Sequence, residues 1–136
     1  MHFMLQKEVV ERIVAKPGNK IYGRLTVMLA SACRSEALFK VGRGAFQPPP
    51  AVESAVVRLV PHAADPFPLP DRERFARIVR AAFSMRRKTL RNGLRGLVEA
   101  DAFAAAGISA DRRPETLAPA EFAKLAAQPV AAGDGL

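Results

Sequence analysis

Three consecutive prolines, Pro48-Pro49-Pro50, separate Phe46-Gln47 from the run Ala51-Val52-Glu53-Ser54-Ala55-Val56-Val57-Arg58-Leu59. Each proline fixes φ near about −65° and lacks an N–H, which excludes both a helix and a central strand for the tripeptide. Gly42 and Gly44 just upstream permit a turn. From Val52 the chain alternates. Val52, Ser54, Val56 and Arg58 fall on one face and Ala55, Val57 and Leu59 on the other, a pattern that predicts a mostly buried strand. A stiff loop at a sheet edge therefore holds the Phe46 ring at low entropic cost. The residues alone allow two roles for that ring: a plug for the core beneath the turn, or a surface offered to a flat partner.

The elements around this stretch follow from periodicity. His2 to Gln6 is a short apolar run that reads as a buried strand. Val9, Val10, Ile13 and Val14 have helical spacing over Glu8 to Ala15, and Lys16-Pro17-Gly18-Asn19 ends that helix. Tyr22 to Cys33 predicts a second helix, more apolar than amphipathic and packed on a sheet, with Cys33 as a buried core thiol. Ala37 to Val41 and Val52 to Val60 predict strands. The first 60 or so residues thus read as the closing part of an α/β sheet. Pro61, Pro66, Pro68 and Pro70 mark a linker, which divides the chain into 1–62, a proline-rich connection at 63–70, and 71–136. Beyond it, Asp71 suits an N-cap, and Phe75, Ile78, Val79, Ala82 and Phe83 form an i, i+3, i+4, i+7, i+8 stripe. A helix starting near Arg87 is expected to turn Leu90, Leu94, Leu97 and Val98 inward. Ala102 to Ala106 predicts a short helix closed by Gly107, and Pro119 opens a last one with Phe122, Leu125 and Ala126 inward.

Charge narrows the partner. The chain carries a formal net charge of +8, which favours a polyanion, nucleic acid before membrane. Residues 71–99 hold nine basic groups against three acidic ones. Lys88, Arg91 and Arg95 stand at i, i+3 and i+7 of the expected helix, with Arg86 and Arg87 at the turn before it. Arginine forks match phosphate oxygens better than lysine point charges do, and Asn92 beside them suits a base edge or a sugar hydroxyl. A solvated helix face is the plain alternative. Cys33 is the single cysteine, so neither a disulfide framework nor a thiolate zinc site is expected. His2 and His62 are too far apart in sequence to suggest a metal cluster. No apolar run approaches the roughly 18 residues that span a bilayer, and Met1-His2-Phe3-Met4 lacks the features of a signal peptide. The expectation is a cytoplasmic protein without metal or membrane partner.

Three segments carry a resemblance. Phe46-x-Pro-Pro-Pro-x-Val-x-Ser-Ala-Val-Val-Arg-Leu resembles the late motif of the rRNA adenine dimethyltransferases. Met4-Leu5-Gln6-Lys7-Glu8-Val9 is similar to that family's Met-x-Gln-Lys-Glu-Val segment. Arg86-Arg87-Lys88-Thr89-Leu90-Arg91-Asn92-Gly93-Leu94 is similar to its Arg-Arg-Lys-Thr-x-Arg-Asn-x-Leu segment. The segments come in the family's order, and the resemblance runs from about Met1 to Gln128. It implies the last strands of a Rossmann-like class I methyltransferase sheet followed by a small helical RNA-binding domain. It implies two methyl transfers from S-adenosylmethionine to N6 of each of two neighbouring adenines near the 3′ end of 16S rRNA, in the immature small ribosomal subunit. A base so modified must leave its stack. Phe46 matches the family's stacking aromatic, Pro48 and Pro50 its substrate loop, and Arg86, Arg87, Lys88, Arg91, Asn92 and Arg95 its RNA-binding segment. Gln6, Lys7 and Glu8 read as local caps or salt bridges, while Tyr22 and Arg24 either touch the substrate loop or pack.

In the family, a glycine-rich cofactor turn and an Asn-Leu-Pro-Tyr-type motif precede the segment that Met4 to Val9 matches. Neither is found here. Gly42-Arg43-Gly44 lacks the third glycine, and no helix is expected after it. The expectation is a fragment without the cofactor-binding half and inactive alone, its first 60 or so residues poorly stable and 71–128 able to fold. Two rivals stand beside it: a non-catalytic RNA-binding module, and a methyltransferase acting on another rRNA.

Overall fold

The computed structural model describes residues 1–41 and 53–128. β1 (His2–Gln6) runs directly into α1 (Lys7–Val14). A turn at 15–23 leads to α2 (Arg24–Ala32), which passes straight into β2 (Cys33–Val41). β3 (Ser54–Pro61) completes a three-stranded sheet in the order β1-β3-β2, antiparallel at both junctions. β3 is central. Its Ala55 and Val57 are buried with Val10 and Ile13 of α1, and Leu5, Val9, Val14, Leu29 and Leu59 pack around them. The alternation in β3 is therefore as expected, but only one of its faces is covered. Val56 is half-buried and Arg58 exposed.

β1 departs from expectation. Its Phe3 and Met4 are 42% and 54% exposed. Among the described residues β1 pairs with β3 alone, so it is an edge strand. An apolar run looks the same in a covered and an uncovered strand; burial depends on the neighbours. β2 starts four residues before Ala37, because Arg34 and Ser35 also pair, with Val60 and Leu59, and a bulge falls between Ala37 and Phe39. Cys33, expected in a helix core, is the first residue of β2 and only half-buried.

The helical half opens on α3 (Arg72–Ser84), where Asp71 Oδ1 accepts a bond from Arg74 N at 3.0 Å and caps the helix as expected. Phe75, Ile78, Val79 and Ala82 are buried along one stripe. The next helix is a correction. In place of a long helix from Arg87, α4 (Leu90–Gly93) makes a single turn. Gly93 and Gly96 weaken any longer helix, and Gly96 adopts φ +86°. Leu90 N and Arg91 N donate instead to Arg112 O and Ala110 O, each at 2.8 Å, which docks the turn on the 110–112 segment. Leu90, Leu94 and Val98 are still buried. α5 (Ala100–Ala106) ends at Gly107, φ +72°. A 3-10 turn (Pro114–Thr116) precedes α6 (Pro119–Ala126), whose Phe122, Leu125 and Ala126 face inward.

Tyr22 and Val27 of the sheet half belong to the helical core. The Tyr22 hydroxyl donates to Leu117 O at 2.5 Å, and Gly18 N to Glu115 O at 2.6 Å. The 15–23 turn is thus fastened to the helices beyond the proline-rich segment.

Candidate nucleic-acid interface

Phe46, Pro48 and Pro50 lie outside the described residues. What the structure shows is the place where their segment is rooted. Val41 and Ser54 are register partners across β2 and β3, and Ser54 pairs with Gln6 on its other side. All three strands therefore end together. Lys7 N donates to Glu53 O at 2.9 Å, and Lys7 Nζ lies 3.3 Å from the Glu53 carboxylate and 3.8 Å from that of Glu11. The Glu53 carboxylate, through its hydrogen bond and charge, raises the Lys7 pKa above its ordinary range. Glu8 pairs with Arg12 at 3.2 Å. Lys7 and Glu8 thus make local salt bridges, whereas Gln6 makes no side-chain cap bond, and Lys7 and Glu53 pin the start of β3 to the start of α1.

The basic residues separate into three groups. Arg87 and Lys88 are exposed and carry no ion pair among the described residues. Arg91 and Arg95 are also exposed but engaged. Arg91 lies 2.9 Å from Asp111, and Arg95 donates to Asn92 Oδ1 at 3.0 Å. Arg86 is turned inward. Its Nη1 donates to Lys20 O and its Nη2 to Tyr22 O, while Cζ stands 5.4 Å from the centre of the Phe83 ring. The helix face expected to align Lys88, Arg91 and Arg95 does not form, since Lys88 precedes the single turn of α4.

Two arginines were missed as structural elements. Arg74 is 2% exposed and donates to Leu97 O at 2.9 Å. Its signal was present, because Arg74 stands one turn before Ile78 on the buried stripe. Arg112 grips Glu121 at 2.6 Å and Thr116 O at 2.6 Å, closing the connector onto α6. The Arg112 hydrogen bond holds the Glu121 carboxyl below the ordinary glutamate range against partial burial.

The profile of the family described as "Ribosomal RNA adenine dimethylase" matches residues 1–128. The chain belongs to that family. The "Ribosomal RNA small subunit methyltransferase A" of Pseudomonas putida is 56% identical over 128 residues, covering 94% of this chain and 48% of that protein. Its counterpart in Xanthomonas campestris pv. campestris is 58% identical over 126 residues, covering 93% and 48%. The chain therefore spans about half the length of these curated relatives, in their C-terminal half. Among solved structures, a dimethyladenosine transferase from Plasmodium falciparum superposes with a TM-score of 0.78 at 26% identity, over 91% of this chain and 54% of that one. The 23S rRNA methyltransferase ErmE superposes with a TM-score of 0.61 at 25% identity, over 92% and 52%. The dimethylase family thus fixes the fold class. These are the closing strands of a methyltransferase sheet, followed by a small helical domain.

Proposed function

We propose that this chain is the RNA-docking portion of an S-adenosylmethionine-dependent enzyme that dimethylates N6 of two neighbouring adenines near the 3′ end of 16S rRNA, in the cytoplasm and on the immature small subunit. The observation that carries the choice of target is the identity of 56–58% to proteins named for the small subunit, against 25% to ErmE, named for 23S rRNA. In this reading 1–62 belongs to the catalytic domain, 63–70 is the connection, and 71–136 binds RNA. Phe46 stacks on the extruded adenine, and Pro48 and Pro50 stiffen its loop, which leaves the sheet where Lys7 and Glu53 pin it. Arg87 and Lys88 meet phosphates, with Arg91, Asn92 and Arg95 beside them.

The described residues do not fit the methyl donor. The turn from β1 to α1 has Gln6 and Lys7 where a cofactor cradle needs glycine, and the Lys7 N–H at the helix start is already donated to Glu53 O. No step of the transfer is therefore assigned to residues of this chain beyond holding the base and the RNA. The isolated chain is proposed to be inactive. The test incubates small-subunit particles lacking these methyl groups with labelled S-adenosylmethionine. The chain alone should transfer nothing, and the chain joined to the N-terminal half of its Pseudomonas putida relative should label the adenines, with Phe46→Ala abolishing most of the signal. Labelling of 23S rRNA instead, or transfer by the chain alone, would refute the reading.

A further inference from the structure

The arginine that opens the Arg-Arg-Lys segment does not point where its neighbours do. Arg86 is half-buried, spends Nη1 on Lys20 O and Nη2 on Tyr22 O, and lies over Phe83. Only a planar fork can bridge two carbonyls while stacking on a ring; a lysine ammonium cannot do all three. The space for the fork comes from Gly23, where a Cβ would stand 3.1 Å from Arg86 Nη2. Glycine at 23 is thus explained by close approach, since its backbone is extended (φ −161°) and open to any residue.

The bridge has an electrostatic consequence. Lys20 carries one of the carbonyls that Arg86 holds, Arg24 stands two residues past the other at Tyr22, and Arg87 and Lys88 follow Arg86 directly. All four are exposed, and none forms an ion pair among the described residues. Arg91, further along, has its carboxylate in Asp111. Uncompensated cationic charge therefore collects at the junction of the two halves, while past α4 Arg95 has only the neutral Asn92 amide as its partner. We propose that Arg86 is a positioning residue. It joins the 20–24 turn to the end of α3, so that Lys20, Arg24, Arg87 and Lys88 form one cationic surface for RNA phosphates.

This inference rests on the RNA-binding reading and adds to it two residues from the sheet half, while removing Arg86 from the contacts. The test uses the full 136-residue chain and a short RNA duplex, with affinity measured across a range of salt concentrations. Each phosphate contact contributes about 0.9 to the slope of log affinity against log salt for a B-form duplex. Lys20→Ala and Arg24→Ala should each lower the slope by about one contact, as Arg87→Ala does. Arg86→Lys keeps the charge but lacks the fork. It should weaken binding, and in its background Lys20→Ala and Arg24→Ala should have no further effect. Should Arg86→Lys fail to fold by circular dichroism, Gly23→Ala, which crowds the guanidinium, must show the same coupling. Wild-type slopes for Lys20→Ala and Arg24→Ala, with Arg87→Ala still reduced, would overturn the composite surface and leave the RNA reading intact. Wild-type affinity in Arg86→Lys would overturn its positioning role. A wild-type chain that does not bind the duplex at low salt would remove the RNA reading and this inference together.

Discussion

The two halves of the molecule meet the same requirement, burying apolar side chains, with unequal success. The helical half closes a continuous core, to which Tyr22 and Val27 are added from the other half. Phe75, Ile78, Val79, Leu90, Leu94, Leu117, Phe122 and Leu125 are at most 1% exposed, drawn from α3, α4 and the residue after it, α6 and the connector before α6. The sheet half covers one face of three strands with α1 and α2, burying Ala55 and Val57, and leaves Met4, Phe39 and the β1 edge in solvent. A helix needs to bury only a stripe and satisfies its own backbone, so a few short helices can complete a core. A sheet has two faces and two edges, and each needs a neighbour. The matched relatives are about twice as long as this chain, and the half whose apolar side chains are better covered is the one proposed to hold RNA.

That contrast can be broken by measurement. The largest effect is expected at Phe122, fully buried and 5.6 Å from the Phe83 ring. Phe122→Ala should cost about 3–5 kcal/mol in denaturant unfolding of the helical signal. A cost below about 1 kcal/mol would mean that the helical core is no better built than the sheet. Next comes the join between the halves. Tyr22 is the chain's one tyrosine, and burial, with a smaller contribution from Glu121, raises its pKa far above the ordinary value of 10.0. Tyr22→Phe leaves Leu117 O without its partner and should cost about 1–3 kcal/mol. Because the folded pKa is raised, the stabilisation is complete below about pH 10, where the unfolded phenol is still protonated. It is lost as the pH climbs towards the folded value. Phenolate absorbance should therefore appear together with unfolding. Titration near pH 10 in a chain that keeps its helical signal would show that the join is open to water. The smallest effect is expected on the uncovered strand. Met4→Ser should shift stability by less than about 0.5 kcal/mol, because the side chain is 54% exposed. A cost above about 1 kcal/mol would show that β1 is covered in solution.

The helices of the second half were legible because caps and stripes are local. Asp71, Gly107 and Pro119 each do at a helix end what their chemistry allows. Two features were not legible. The exposure of β1 depends on which strands stand beside it, which five residues cannot encode. The fate of Arg86 depends on carbonyls 64 and 66 residues away. By charge it looked identical to Arg87, and only the fold distinguishes an arginine used as a brace from one left facing solvent. The shortness of α4 was readable in principle, since Gly93 and Gly96 lie within it or just past it, but an i, i+4, i+7 pattern of leucine and valine masked them. Lys7 and Glu53, 46 residues apart in sequence, meet where antiparallel register brings three strand ends to one place.

The 15–23 turn is held by Gly18 to Glu115, by Tyr22 to Leu117 and by Arg86 to Lys20 and Tyr22, all of which cross from one side of the proline-rich segment to the other. These ties do not depend on the covalent chain between 63 and 70. A protease that nicked the exposed Ala63-Ala64-Asp65 stretch would therefore yield two peptides on a denaturing gel and a single particle on a sizing column. The segment that reads as a linker in sequence is, in such a molecule, a tether whose scission leaves the two sides joined.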